Sequence, residues 1–314
     1  MANKAPVAFI IFNRPDLTIE SFKAIRQYKP KELFIIADGP RKDHPGEAEK
    51  CKEARNIVAN VDWECQVYRE YSSENLTSAK RIRGGLHWVF ENTDRAIIIE
   101  DDCVPHPDFF NFCETLLELY KEEESVWSIT GDNFQSGKKR GNSSYYFSKY
   151  SHCWGWATWS RSWNSAKKEN LSFWPSLKDS KKWSDIHPNK NEKQYWSDIF
   201  DDMYSGKIDF WAYWFLASVM NNHGLTATPN VNLVTNIGFG PNATNTLFTE
   251  QQPGLKSYPI TELTHPQIIK QDLAADLFVY NYHYSGNTLF FYRKVLRLVK
   301  MESFVKNIYR FFKK

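Results

Sequence analysis

The residues best suited to chemistry stand together in Arg95-Ala-Ile-Ile-Ile-Glu100-Asp101-Asp102-Cys-Val-Pro105-His-Pro107. Three β-branched residues run directly into three carboxylates, and two prolines then stop the strand from continuing. A short apolar run of this kind reads as a buried parallel strand, with the acids at its carboxyl end. Open α/β sheets place their ligands at such ends. Three adjacent acids repel one another unless a cation or basic groups neutralise them. Oxygen donors suit Mg²⁺ or Mn²⁺, which bind through one or two carboxylates completed by substrate phosphates. The alternative for an acidic triplet is a solvated turn; the strand before it and the prolines after it favour a metal or ligand site.

The elements that must position these acids alternate. Val7 to Phe12 reads as a strand, Leu17 to Tyr28 as a helix, and Leu33 to Ala37 as a second strand. Glu47 to Asn60 reads as a polar helix, Cys65 to Tyr68 as a third strand, and Thr77 to Asn92 as the helix entering the acid-bearing strand. Phe109 to Glu124 and Ser125 to Thr130 continue the pattern. Alternation of this sort predicts βαβ units and a parallel sheet. Other strand tips are polar too: Asn13-Arg14 after the first, Asp38-Gly39 after the second, and Gly131-Asp132-Asn133 after the fifth. In a parallel sheet these tips share an edge. Arg14 suits a diphosphate and Asp38 a base or ribose, although Asp-Gly is also the commonest turn signal. Lys80 and Arg83 share one helix face, fit for phosphate or base, or simply solvated.

The order of these motifs, with Glu100-Asp101-Asp102 followed by Pro107-Asp108-Phe109-Phe110, resembles the GT-A glycosyltransferases. It is most similar to the N-acetylglucosaminyltransferase I group, whose Glu-Asp-Asp is its "DxD" acid triplet. Cys153-Trp154-Gly155-Trp156 is similar to a Gly-Trp segment on that group's acceptor side. The resemblance runs over residues 6–165 and more loosely to about 250. It implies an α/β, Rossmann-like, mainly parallel sheet with an aromatic-rich acceptor region and a C-terminal helical tail. Residues 1–135 would form the nucleotide-sugar half, 136–265 the acceptor and catalytic half of the same domain, and 266–314 the tail. By the same resemblance Asp102 is the Mn²⁺ or Mg²⁺ ligand, and Glu100 and Asp101 hold hydroxyls or metal-bound water. Asp38 faces the base, Asn13 or Arg14 the nucleotide, and Lys80, Arg81 or Arg83 the base and diphosphate. The donor so implied is a UDP-sugar.

Inverting transfer requires a carboxylate base. Asp209, between aromatics in Lys207-Ile-Asp209-Phe210-Trp211, is the candidate; aromatic surroundings raise a carboxylate pKa. The related group carries Asp-Asp-Trp there, so one acid is missing, and Asp132, Asp201 and Asp202 are rivals. A helix-start cap is the other role for Asp209. Nine of twelve tryptophans lie between Trp154 and Trp214, in a stretch that reads as irregular. Most suit a core, whereas Trp154 and Trp156, beside glycine, are expected as an exposed sugar platform, with Asp132 on the same acceptor side. The loop from Val234 to Asn245 is expected to fold over a diphosphate.

Charge is uneven. The chain carries +3 overall. Residues 289–314 hold eight cations against one acid, +7, which leaves −4 for the rest. This tail reads as an amphipathic helix for an anionic membrane, or as one packed on the domain. No apolar run reaches membrane-spanning length, and five cysteines in no metal spacing, with no secretory leader read at Met1, fit a reducing cytosol. The expectation is a cytoplasmic enzyme, peripheral on the inner membrane face. It would move a sugar to a glycan or lipid-linked acceptor in surface polysaccharide synthesis, with no nucleic-acid partner. The alternatives are a sugar-phosphate nucleotidyltransferase, which needs a glycine-rich loop that Asn13-Arg14-Pro15-Asp16 does not offer, and a non-catalytic carbohydrate-binding protein.

Overall fold

The structure is a computed structural model that describes residues 4–239 and 255–284. The chain runs β1 (Val7–Ile11), α1 (Pro15–Tyr28), β2 (Glu32–Ala37), α2 (Glu47–Ile57), β3 (Gln66–Tyr71), α3 (Ser78–Asn92), β4 (Arg95–Glu100), β5 (Cys103–Pro105), α4 (Pro107–Leu119) and β6 (Val126–Thr130). It continues β7 (Tyr145–Ser148), β8 (Trp156–Trp159), α5 (Ser160–Glu169), α6 (Trp174–Leu177), α7 (Lys181–Ile186), α8 (Lys190–Tyr204), α9 (Trp211–Asn221), β9 (Leu225–Pro229), β10 (Val234–Asn236) and α10 (Leu273–Tyr282).

The main sheet has eight strands in the order β3-β2-β1-β4-β8-β6-β9-β7. The β3-β2-β1-β4 half is wholly parallel. The other half is mixed, because β8 lies antiparallel between β4 and β6, and β7 antiparallel beside β9. Because β6 and β9 run with β1 to β4, six of the eight strands share one direction and only β7 and β8 are reversed, in keeping with the mainly parallel sheet expected. A second, two-stranded sheet pairs β10 with β5, which carries the chain from Val234 to Asn236 past the end of β4.

Strand side chains alternate between two cores, as a pleated strand requires. Ala8, Ile10, Phe34, Ile36, Ala96 and Ile98 face α3, α5 and α9. Val7, Phe9, Leu33, Ile35, Ile97 and Ile99 face α1, α2 and α4. The first three helices deliver the chain to successive strand starts, so the tips of β1, β2 and β4 point to one edge. Strand order reverses between β1 and β4: the chain moves outward through β2 and β3, then returns through α3 to the other side of β1. Such a switch point leaves a crevice at the strand ends.

The region from 145 to 222 is regular rather than irregular. Five helices and two strands fill it, and eight of its nine tryptophans are buried. The large rings pack edge to face, as with Trp163 against Trp214 at 5.2 Å and Trp174 against Trp183 at 5.2 Å. Their size hides helical periodicity, since nearly every position carries an apolar body. The cationic tail at 289–314 lies outside the described residues. Among the described residues no helix is long and apolar enough to cross a membrane.

Candidate functional site

A cavity of about 380 Å³ opens at the switch point. The tip of β1 contributes Ile10, Ile11, Phe12 and Arg14, the tip of β2 Asp38 and Arg41, and the tip of β4 Glu100, Asp101 and Asp102. The start of α3 adds Asn75, Thr77, Ser78, Arg81 and Ile82. Cys153, Trp154, Phe210 and Trp211 form an aromatic wall, and Asn236 and Gly238 close the side next to the acids. Strands two apart in a sheet are roughly 10 Å apart. That is the span from the β2 tip to the β4 tip, and it suits a base at one end and a diphosphate at the other.

Arg14 binds the acids. Its Nη1 donates to Asp102 Oδ2 at 2.9 Å, its Nε to Asp101 Oδ2 at 3.4 Å, and its Nη2 pairs with Asp101 Oδ1. Asp101 is buried, receives the Phe12 N–H at 3.3 Å, and its own carbonyl accepts from Ser21 Oγ at 2.9 Å. Asp101 is thus the structural acid of the three. Glu100 lines the cavity, and among the described residues no group donates a hydrogen bond to its carboxylate. Burial, then the neighbouring Asp102 and Asp101 charges, raises its pKa well above the usual carboxylate range. Among the described residues Asp102 Oδ1 has only the Cys103 thiol, at 3.4 Å.

These oxygens fit a divalent cation. When ionised, three carboxylates facing one guanidinium leave two negative charges, the complement of one Mn²⁺ or Mg²⁺. Among the described residues no group of three or more His, Cys, Asp or Glu side chains has the geometry of a metal site. The donor set at hand is therefore Asp102 with Glu100 beside it, which phosphate oxygens and water would have to complete. Backbone packs tightly on the same carboxylate. Ile237 N–H donates to the Asp102 carbonyl at 2.8 Å, and a Cβ on Gly238 would come within 2.2 Å of Asp102 Oδ2. Only glycine lets the chain pass here. The expected loop over the diphosphate begins at this point, while residues 240–245 lie outside the described residues.

The β2 end is held differently. Asp38 is buried and already receives Gly39 N–H at 2.9 Å, Leu76 N–H at 3.0 Å and Asn75 Nδ2 at 2.9 Å. Burial raises its pKa, against those bonds. It shapes the base end by fixing residues 72–77, because three of its lone-pair directions are spoken for. Gly39 sits against that segment so closely that a Cβ would meet Glu74 backbone at 2.5 Å. Thr77, on the cavity wall, has φ 71° and ψ 151°, a region that β-branched residues avoid. Asn13 points away from the cavity. Its Nδ2 donates to Glu47 Oε1 at 2.8 Å, and Glu47 also receives the Arg41 backbone N–H at 2.6 Å. Asn13 thereby braces the turn that presents Arg41.

Of the basic residues expected on α3, Lys80 is exposed and off the cavity wall, and Arg83 pairs with Asp209. Arg81 is the one that lines the cavity; it is buried, with its guanidinium 2.7 Å from Glu70. The phase of α3 explains this, since Arg81 shares a face with Ile82 and Gly85 toward the sheet.

Asp209 lies at the rim. Phe210 and Trp211 after it line the wall, whereas its own carboxylate is half exposed and takes Arg83 Nη2 at 2.8 Å. The aromatic burial expected for it is corrected: Phe210 and Trp211 turn inward and leave the acid facing Arg83. The rivals are engaged elsewhere, Asp201 with Trp174 and Lys178 and Asp202 with Lys207. Asp132 is buried behind the wall, where its Oδ2 takes the Trp154 N–H at 3.0 Å. Trp154 does face the cavity. Trp156 does not; it is 2% exposed on β8, against Trp211 and Phe215, and belongs to the core. The period of two on β8 puts Trp154 and Trp156 in line by sequence, but Gly155 at φ 69° turns the chain between them. Missed from sequence were Arg41 and Asn75, whereas Asn236 falls in the loop from Val234 that was singled out. Arg41, just beyond Asp38-Gly39-Pro40, had a signal in that turn; Asn75 had none.

No family model matches this sequence, and no curated protein sequence matches it. Among solved structures it is similar to the mannosyltransferase PcManGT from Pyrobaculum calidifontis in complex with GDP-Man and Mn²⁺, at 8% identity over 69% of this chain and 70% of that one, with a TM-score of 0.38. It is also similar to the inositol-1-phosphate CTP transferase from T. maritima, at 10% identity over 78% of this chain and 94% of that one, with a TM-score of 0.38. A UDP-glucose pyrophosphorylase complexed with UDP-glucose gives 10% identity over 52% and 78%, with a TM-score of 0.31. These likenesses are slight, so the functional reading rests on the geometry of the cavity.

Proposed function

We propose that the protein is a GT-A glycosyltransferase that moves a sugar from a nucleotide-sugar donor to a glycan or lipid-linked acceptor with inversion, assisted by Mn²⁺ or Mg²⁺. The observation that carries this is the acid triplet at the β1/β4 switch point, in one cavity with the tip of β2 and an aromatic wall. Asp102 and Glu100 would hold the cation, which would stabilise charge on the departing diphosphate. Arg14 keeps Asp101 and Asp102 in place and offers its guanidinium to phosphate oxygens. Arg41, Arg81 and the Asp38-anchored segment take the nucleoside end. Trp154, Phe210 and Trp211 offer ring faces to the sugars. Asp209, at the rim and held by Arg83, is the base that takes the acceptor proton.

The nucleotidyltransferase reading shares the sheet and the acids. It lacks support at the β1 tip, where the turn is Asn13-Arg14-Pro15 instead of a glycine-rich phosphate loop. Products separate the two. A transferase releases nucleoside diphosphate from nucleotide sugar in the presence of Mn²⁺; a nucleotidyltransferase consumes pyrophosphate and yields nucleoside triphosphate. Asp209→Asn is expected to lower the transfer rate by about 10²–10⁴-fold with donor binding retained. Full activity in that variant would remove Asp209 as the base.

A further inference from the structure

Apart from Asp276 and Asn281, helix α10 is built of aliphatic and aromatic residues. Its single charge, Asp276, is buried and bonded to Ser148 Oγ at 2.5 Å and Gln271 Nε2 at 2.7 Å. Ala275, Asp276, Val279 and Tyr280 face the protein. On the remaining surface Leu273 and Leu277 form one row and Phe278 and Tyr282 another at i, i+4 spacing, with Ala274 and Asn281 between them. Leu273 is 55% exposed, Leu277 38% and Tyr282 63%, and Ile268 just before the helix is 72% exposed. Four of the ten large apolar side chains exposed among the described residues thus fall between 268 and 282. That is a patch, not the usual scatter.

The rim of this patch is basic. Lys138 Nζ lies 4.6 Å and the Arg140 guanidinium 5.6 Å from the centroid of Phe278, so the cations sit at the level of the exposed rings. Lys139 and Lys270 are exposed nearby in sequence, and no acid occurs on the outward rows. The chain beyond α10 carries the +7 segment at 289–314. Apolar rings and aliphatic chains ringed by lysine and arginine match the acyl boundary and phosphates of an anionic bilayer.

We infer that the outward face of α10, rimmed by Lys138 and Arg140, docks on an anionic lipid surface. The docking stands without the transferase reading; its consequence for the acceptor rests on that reading. His283, directly after α10, stacks on Phe134 at 3.7 Å, and Phe134 meets Trp154 at 5.2 Å. The inward side at the end of α10 is thus two ring contacts from the aromatic wall of the cavity, and the docked face lies one helix width beyond it, a placement that suits a lipid-linked acceptor.

The test is co-sedimentation of the full chain with vesicles of phosphatidylglycerol and phosphatidylcholine, against phosphatidylcholine alone. The wild type is expected to pellet with the anionic vesicles only. Leu273→Glu/Leu277→Glu and, separately, Lys138→Glu/Arg140→Glu are each expected to weaken binding about tenfold, with unchanged circular dichroism. Variants that pellet like the wild type would overturn the inference, as would a wild type that stays in solution. So would a dimer on size-exclusion chromatography that Leu273→Glu/Leu277→Glu dissolves. Thermal shifts with nucleotide sugar and Mn²⁺ are read in parallel: a wild type that binds vesicles and shows no shift would sink the transferase reading and leave the docking.

Discussion

Two of the clusters that hold buried acids contrast sharply, one at the tips of β1 and β4 and one between β7, α8 and α10. In the second, every charge is answered from within. Lys149 Nζ is buried and reaches Glu192 Oε1 at 3.0 Å, His187 Nδ1 at 3.1 Å and the Ile186 carbonyl at 2.9 Å. Tyr150 donates to Glu192, and Ser148, Gln271 and the Lys149 N–H serve Asp276. Burial drives His187 down to about 4, which leaves it neutral and able to accept from Lys149. In the first group, Arg14 answers Asp101 and one oxygen of Asp102, while among the described residues Glu100 receives no donor. A chain that solves burial fully at one cluster and leaves it half solved at another marks the half-solved one, here the acids at the β4 tip, as a place where something binds.

The largest expected effect falls on the closed cluster. Lys149→Met leaves Glu192 buried without its cation and should destabilise the fold by about 3–5 kcal/mol. Urea melts should show it, with activity per folded molecule unchanged; a loss below 1 kcal/mol would erase the contrast between the clusters. Next is Asp102→Ala, which should lower transfer about 10²–10³-fold with the urea midpoint preserved or raised, since it relieves repulsion. A large fall in stability would make the triplet structural. Smallest is Trp154→Ala, where loss of a ring from the wall should raise the acceptor KM about tenfold and leave donor binding alone. A change confined to donor binding would move Trp154 to the nucleotide end.

The same contrast governs what was legible in the sequence. β1, β2 and β4 announced themselves because each is a short apolar run between helix signals, and the triplet stood out because three acids follow three isoleucines. The second half did not, because tryptophans serve core and surface alike in composition. Gly155 alone separates a cavity residue, Trp154, from a core residue, Trp156, and a positive φ leaves no mark in periodicity. Asp38 and Asn13 were legible as polar strand tips but not as braces, because their partners Leu76 and Glu47 come from segments 38 and 34 residues away. The closed cluster was invisible for the same reason: Lys149, Glu192 and Asp276 meet only once three elements have packed.

The central claim is that the acids at the β4 tip hold a divalent cation together with a nucleoside diphosphate. Electron paramagnetic resonance of free Mn²⁺ tests it most directly, titrated into wild type and Asp102→Ala with and without UDP or GDP. The account predicts Mn²⁺ uptake by the wild type that tightens with nucleoside diphosphate and is lost in Asp102→Ala. Equal Mn²⁺ uptake by both proteins, or uptake indifferent to nucleotide, would contradict it.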